Sequence, residues 1–118
     1  MKKFLAIYTG TPDALERKGL HKLDPAARKV REAAGMKAWG DWFTTNAAAI
    51  VDPGGPLGKT KRAGDDGISD ITNHMAAYVI VQAESHEAAA QLFANHPHFA
   101  IFPGDSVEIM ECLPMPGR

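Results

Sequence analysis

Met75-Ala-Ala-Tyr-Val-Ile-Val-Gln-Ala83 is the stretch of sequence that decides the fold. Its β-branched and aromatic residues predict a strand, and Ser85 follows it in a position to cap a helix over residues 86–94. Asn95 and Pro97 end that helix, and a last strand is predicted over residues 106–113. The C-terminal half therefore has the order strand, helix, strand.

The N-terminal half has the same order. The elements that we predict there are a strand over residues 4–9, a short helix between Thr11-Pro12 and Gly19, a long helix from Asp24-Pro25 to about Asn46, and a short strand over residues 48–51. On the long helix, helical spacing predicts a buried apolar face made of Val30, Ala34, Trp39, Trp42 and Phe43. The run from Asp52 to Pro56 is expected to break regular structure, and residues 58–73 to form a long loop or an irregular hairpin.

Two strand-helix-strand units predict an α+β fold of the ferredoxin-like βαββαβ type. Residues 1–118 would form a single domain, with an antiparallel sheet and both helices on one face. The strands, however, are apolar on both faces: Phe4, Ala6 and Tyr8 alternate with Leu5 and Ile7. The face without helices needs another cover, so we expect a homodimer in which two sheets pair. The alternative is that the long loop folds back over this face.

Composition and charge exclude several classes of function. The 118 residues are 45% hydrophobic and 23% charged, as in ordinary folded domains. A formal net charge of −1 with scattered basic residues predicts neither nucleic acid nor a membrane surface as partner. The apolar N-terminal stretch ends at Gly10, too early for a secretory leader, and there is one cysteine, so we expect a cytoplasmic protein.

No cofactor is predicted. Gly58-Lys59-Thr60 has the ending of a phosphate-binding loop, but Pro53 stands where the first glycine is needed. Pro56 would also remove a backbone N–H from the loop. A solvated basic loop is the interpretation that remains.

His96-Pro97-His98 is the most distinctive candidate site. Proline restricts His96 to extended backbone, where two imidazoles spaced by one residue lie on the same side. Imidazole titrates near neutral pH, which suits acid–base catalysis or ligand binding. Two alternatives stay open: one imidazole caps the preceding helix, or the pair contributes to a metal site. We expect no metal, since zinc would need further ligands from unlinked positions, namely His21, His74, Asp105 or Glu108.

Three segments together resemble the YCII-related (DGPF-type) proteins. They are the N-terminal strand, the stretch from Trp39-Gly-Asp-Trp42 to Ile50-Val-Asp-Pro-Gly-Gly-Pro-Leu57, and the unit from Tyr78 to Glu111 with its Ala-Glu-Ser-His-Glu-Ala helix start and His96-Pro97-His98. The resemblance covers nearly the whole chain. It implies a ferredoxin-like fold of the dimeric α+β-barrel group and a cleft between sheet and helices.

In that family, some members have been proposed to act through a histidine in the long helix and an aspartate after the second helix. This sequence has no histidine between Ala26 and Asn46, and His96-Pro97 stands at the Asp-Pro position, so only the location of the site is carried over. We place there, as candidate catalytic and ligand-binding residues, His96, His98, His74, Trp39 and Asp41. Three functions stay open: a module that binds a small molecule, a small enzyme with a histidine as general acid–base, and an accessory protein that binds a partner.

Overall fold

The computed structural model describes residues 1–117. Within this range the elements are β1 Lys2–Thr9, α1 Ala14–Arg17, α2 Pro25–Thr45, β2 Ile50–Pro56, β3 Thr60–Gly64, β4 Gly67–Ile71, β5 Met75–Ala83, α3 His86–Gln91, α4 Pro97–Ala100 and β6 Ser106–Glu111. Four strands form an antiparallel sheet in the order β2-β5-β1-β6. This is the ferredoxin-like strand order, and it confirms the predicted α+β fold. No helix in residues 1–117 has the length and apolar character that a membrane span requires.

The helices cover one face of this sheet. On it, alternate residues of β1 and β5 form the centre of the core, and β1 pairs with β5 so that Phe4 lies opposite Val81 and Ala6 opposite Val79. We call this the covered face, with Phe4, Ala6, Tyr8, Val79 and Val81 as its buried residues. Helix α2 and the segment of α3 and α4 pack over it, because both crossovers lie on the same side.

The other face of the same strands has no helix over it. The intervening residues of β1, β5 and β6 are half-buried or exposed, and Met110 keeps 42% of its surface exposed. We call this the open face, with Leu5, Ile7, Tyr78, Ile80 and Met110. The alternation expected from the strand pattern is therefore present. The prediction that a second chain covers the open face stays a proposal.

Helix α2 begins as predicted, since Asp24 caps it by accepting a hydrogen bond from Ala27 N at 2.7 Å. The buried face predicted for this helix is wrong in its first half, because Val30 is 71% exposed and Ala34 is exposed too. In this half of α2 the side that packs against the protein contains Gly35 and not Ala34. The Phe102 ring lies against Gly35, within 2.6 Å of where a Cβ would be. Only a glycine admits that ring, so α2 turns Gly35 toward the protein and Val30 away from it.

Strand β2 also departs from the sequence-based expectation, since it continues through the run from Asp52 to Pro56. It is an edge strand, where prolines are tolerated because one row of N–H groups has no partner, and its pairing with β5 shifts register twice. Gly54 is required there: its φ is +63°, and a Cβ would lie 1.9 Å from the Tyr78 carbonyl oxygen. Asp52 steadies the turn by accepting a hydrogen bond from Gly54 N at 2.8 Å.

Of the two alternatives for residues 58–73, the hairpin is the one observed, as β3 and β4. Several predicted boundaries are corrected. Strand β1 begins at Lys2 and not at residue 4, and β2 begins at Ile50 and not at residue 48, because Ala47–Ala49 forms a 3₁₀ turn. Helix α1 begins at Ala14, with Asp13 and not Thr11 at its N-cap; the Thr11 hydroxyl accepts a hydrogen bond from Arg17 instead. Helix α3 ends at Gln91 and not at residue 94. Strand β6 ends at Glu111.

Candidate functional site

The chain reverses between α3 and α4, and this reversal places the two histidines. Asn95 has a φ of +56°, and His96 then takes up extended backbone and becomes the N-cap of α4. His96 Nδ1 accepts a hydrogen bond from His98 N at 3.0 Å. The imidazole therefore caps the start of the following helix and not the end of the preceding one. His98 is helical, so the pair is not the extended arrangement expected from the sequence.

His96 is held in one protonation state by its contacts. A backbone N–H can only donate, so Nδ1 must carry the lone pair and, in the neutral ring, Nε2 carries the hydrogen. Nε2 lies 3.3 Å from the Tyr8 hydroxyl oxygen and donates to it. The ring is 1% exposed, and burial, assisted by His98, lowers its pKa from 6.5 to about 4. His96 is thus neutral at physiological pH.

His98 is also buried, at 8% exposure. Its Nε2 donates to the Thr9 carbonyl oxygen at 2.7 Å, which ties α4 to the end of β1. Burial lowers the pKa of His98, while the hydrogen bond to Thr9 acts in the opposite direction. Gly104 packs directly against this ring, since a Cβ there would lie 2.3 Å from Nε2.

Aromatic rings surround both imidazoles. Trp39 lies edge-on to His96 with ring centroids 4.7 Å apart, and Tyr8 lies 5.0 Å from Trp39. The ring centroids of Trp42 and His96 are 4.9 Å apart. The Trp42 indole N–H donates a hydrogen bond to the Leu92 carbonyl oxygen at 2.8 Å, which fixes α2 against the end of α3. Tyr8, Trp39, Trp42, His96 and His98 consequently form one closely packed cluster of rings.

A cleft opens beside Tyr8 and Trp39. It lies between α2 and β2, over the end of β1 and the start of β5, and its volume is about 520 Å³. We call it the Tyr8–Trp39 cleft; its lining residues are Tyr8, Met36, Trp39, Gly40, Phe43, Pro53, Gly54, Gly55, Pro56, Ala77 and Tyr78. Burial raises the pKa of the Tyr8 hydroxyl well above its ordinary value, so the hydroxyl stays protonated. The walls are thus aromatic and aliphatic, with the ring of Tyr8 among them.

A second, larger hollow of about 950 Å³ lies beside the β3–β4 hairpin. Its walls mix polar and apolar surface and belong mostly to exposed residues such as Lys59, Lys61 and Asp70, and the last two form an ion pair with each other. It holds no buried polar group that could orient a ligand. The Tyr8–Trp39 cleft is therefore the better candidate site, although it is smaller.

The structure brings three of the sequence-predicted site residues together and leaves two apart. His96, His98 and Trp39 belong to the one cluster. Asp41 is exposed on α2 and pairs with Lys37 at 2.9 Å, and His74 is exposed outside the cleft lining. Among residues 1–117, no group of three or more His, Cys, Asp and Glu side chains is placed to hold a metal ion.

Sequence reasoning missed Tyr8 and the glycine-proline wall of β2. Tyr8 was assigned to the strand pattern, but a tyrosine at a buried strand end carries a hydroxyl that needs a partner, and this is the signal that could have found it. The β2 wall gave no such signal, because Pro53-Gly-Gly-Pro56 contributes backbone and ring atoms and no polar side chain.

No protein-family model matches this sequence, and no curated protein matches it either. Among solved structures, it is similar to 5-chloro-2-hydroxyhydroquinone dehydrochlorinase (TftG) from Burkholderia phenoliruptrix AC1100, in complex with 2,5-dihydroxybenzoquinone. The TM-score is 0.50 at 19% sequence identity, and the match covers 92% of this chain and 90% of that chain. The chain shares that fold. At this level of identity the likeness extends to the architecture alone, in agreement with the strand order of the sheet.

Proposed function

We propose that the protein binds a small planar molecule in the Tyr8–Trp39 cleft. The observation that carries the proposal is a formed cleft of about 520 Å³, with aromatic walls and the buried Tyr8 among its lining residues. Ligand sites typically measure about 300–1,000 Å³ and combine apolar walls with a few fixed polar groups. Among residues 1–117, no charged side chain lines this cleft, so a neutral ring fits it better than a charged or extended molecule.

The similar solved structure supports a ligand of this size. That enzyme is in complex with 2,5-dihydroxybenzoquinone, a single planar ring with oxygen substituents. We carry over the size and shape of the ligand only, because the identity of 19% gives no residue correspondence for chemistry.

The proposal includes a family, an assembly and a compartment. We assign the chain to the YCII-related proteins on the segments that resemble them, and we expect a cytoplasmic homodimer. The apolar open face supports the pairing of two sheets, since a twofold assembly would cover it on both chains at once. Cys112, free and exposed, is compatible with a reducing compartment.

The alternative is a small enzyme in which His96 or His98 acts as the general acid–base. Such a role needs an imidazole nitrogen that can reach a substrate and a pKa near the working pH. Both ring nitrogens of His96 are engaged, by His98 N and by Tyr8, and burial lowers its pKa to about 4. These contacts favour binding over histidine acid–base catalysis.

The test is a substitution that fills the cleft without disturbing the fold. A Cβ at Gly40 meets no atom within 4 Å, and Gly40 lines the cleft, so Gly40→Leu would block it. Ala34→Leu, at an exposed position of the same helix, is the matched control. Acetophenone, benzoic acid and indole would be titrated against both variants and the unsubstituted chain, with amide chemical shifts as the readout.

We expect shifts around Tyr8, Trp39 and Gly54 for at least one probe, unchanged by Ala34→Leu and abolished by Gly40→Leu. Shifts confined to the hairpin, or shifts that survive Gly40→Leu, would contradict the proposal.

A further inference from the structure

The hydrogen bonds around His96 have a defined direction. The His98 N–H donates to His96 Nδ1, so His96 Nε2 carries the hydrogen and donates to the Tyr8 oxygen. Tyr8 is consequently the acceptor in this contact. Its own hydroxyl hydrogen cannot be given to His96, because two hydrogens would then meet between the same two atoms.

The hydroxyl hydrogen of Tyr8 therefore remains available. Within residues 1–117, His96 is the partner recorded for the Tyr8 oxygen, and Tyr8 is 2% exposed. A buried hydroxyl that donates to nothing is unfavourable, and here the group lies in a residue that lines the cleft. A ligand with an acceptor atom in the cleft would complete the hydrogen bond.

We infer that Tyr8 is the specificity-determining residue of the cleft, and that it selects planar molecules that carry a carbonyl-type oxygen. This inference rests on the proposed function and adds the chemical class of the ligand. His96 is a positioning residue: it touches no ligand, but it holds the Tyr8 oxygen as an acceptor and so reserves the hydroxyl hydrogen for the cleft. A ligand of the same shape without an acceptor leaves that hydrogen unpaired.

Because Tyr8 is buried, its hydroxyl favours ligand atoms that accept a hydrogen bond over ligand atoms that donate one. The raised pKa of the Tyr8 hydroxyl keeps its hydrogen in place, so Tyr8 does not become a phenolate that would favour ligand donors. The oxygen already accepts from His96, which leaves donation as its remaining strong interaction. Losing one such buried hydrogen bond lowers affinity by about 5- to 100-fold.

Acetophenone and ethylbenzene make a matched pair of probes, since they share a ring and a two-carbon substituent and differ in the carbonyl oxygen. Their dissociation constants would be measured by chemical-shift titration for the unsubstituted chain, Tyr8→Phe and Ser69→Ala. Ser69, exposed on β4, controls for the loss of a hydroxyl far from the cleft. The tautomer of His96 would be read from ¹⁵N chemical shifts of its ring in the unsubstituted chain.

We expect acetophenone to bind at least 5-fold more tightly than ethylbenzene in the unsubstituted chain and in Ser69→Ala, and about equally in Tyr8→Phe. We also expect the hydrogen of His96 on Nε2. Equal binding of both probes to the unsubstituted chain, or a hydrogen on Nδ1, would overturn the inference and leave the proposed function intact. If neither probe binds in the cleft, the proposed function fails for ring ligands and the inference fails with it. The tautomer measurement remains decisive even if Tyr8→Phe does not fold.

Discussion

The covered face and the open face are built from alternating residues of the same strands, and they have different surroundings. Phe4 and Val79 on the covered face are 0% exposed, while on the open face Leu5 and Ile80 are only half-buried and Met110 is 42% exposed. Both sets of residues are apolar, so hydrophobicity does not explain the difference in burial. The difference arises because helices pack over the covered face and not over the open face. The polar groups differ as well: within the described residues 1–117 the buried imidazoles lie on the covered face, and each of them is hydrogen-bonded.

The largest expected effect separates the two faces at neighbouring residues. Phe4→Ala should lower the free energy of unfolding by about 3–5 kcal/mol, because it removes a buried ring and leaves a cavity. Leu5→Ala should cost about 1–2 kcal/mol, since in the single chain part of that side chain is already in contact with solvent. Urea unfolding of both variants measures the difference. A smaller loss for Phe4→Ala than for Leu5→Ala would contradict the burial of the covered face.

The next effect concerns the imidazoles of the covered face. The folded chain holds the pKa of His96 at about 4, against the ordinary value of 6.5. Between these values the unfolded chain binds a proton that the folded chain does not, so the free energy of unfolding should fall as the pH drops from about 6.5 to about 4. The loss is on the order of 2–3 kcal/mol, with His98 adding in the same direction.

Urea unfolding across that pH range would compare the unsubstituted chain with two variants. His96→Asn keeps a residue that can cap α4 and should show a much weaker pH dependence. His21→Gln, at an exposed position, should show the full dependence. The same slope in all three proteins would show that His96 does not cause it.

A substitution on the open face is expected to have a smaller effect on the fold of the single chain and a large effect on dimer formation. Ile80→Asp places a charge in the middle of that face and should leave far-UV circular dichroism unchanged. In sedimentation, the unsubstituted chain should run as twice 12.7 kDa and the variant as 12.7 kDa. A 12.7 kDa species for the unsubstituted chain at micromolar concentration would rule out the dimer.

The smallest effect is expected at Val30, which the helical pattern predicted to be buried. Because Val30 is 71% exposed, Val30→Asp should change the free energy of unfolding by no more than about 0.5 kcal/mol and leave the assembly unchanged. It also serves as the control for Ile80→Asp. Dissociation by Val30→Asp would move the interface from the open face to the first half of α2.

Much of the fold could be predicted because its elements follow local rules. Strand β5 has the predicted bounds, since its β-branched residues indicate a strand and Ser85, the N-cap of α3, shows that the next element begins there. The Asp24-Pro25 start of α2 is likewise a local signal. The burial of α2 was not predictable, because it depends on Phe102 packing on Gly35 from 67 positions away in the chain.

The candidate site was predictable in part for the same reason. His96, His98 and Trp39 could be chosen by residue type, and they do lie together. Their geometry could not be predicted. It depends on the four-residue helix that starts at Pro97, and on the hydrogen bonds that Tyr8 and Thr9 at the end of β1 form with the two histidines. The sequence marks Tyr8 as a hydroxyl at the end of a buried strand, but it does not show that the partner of this hydroxyl is His96.

The β3–β4 hairpin has a practical consequence for protein engineering. Strands β2 and β5 are already neighbours where it departs, since Pro56 pairs with Ala77 and Leu57 N donates to the Ala76 carbonyl oxygen at 2.9 Å. The hairpin is thus an insertion on a finished sheet, and its tip at Asp65-Asp66 is exposed. A fluorescent reporter could be spliced into that tip without interrupting the four-stranded sheet. Strand β3 follows β2, which lines the Tyr8–Trp39 cleft, so such a fusion would place an optical signal about one strand length from the proposed binding site.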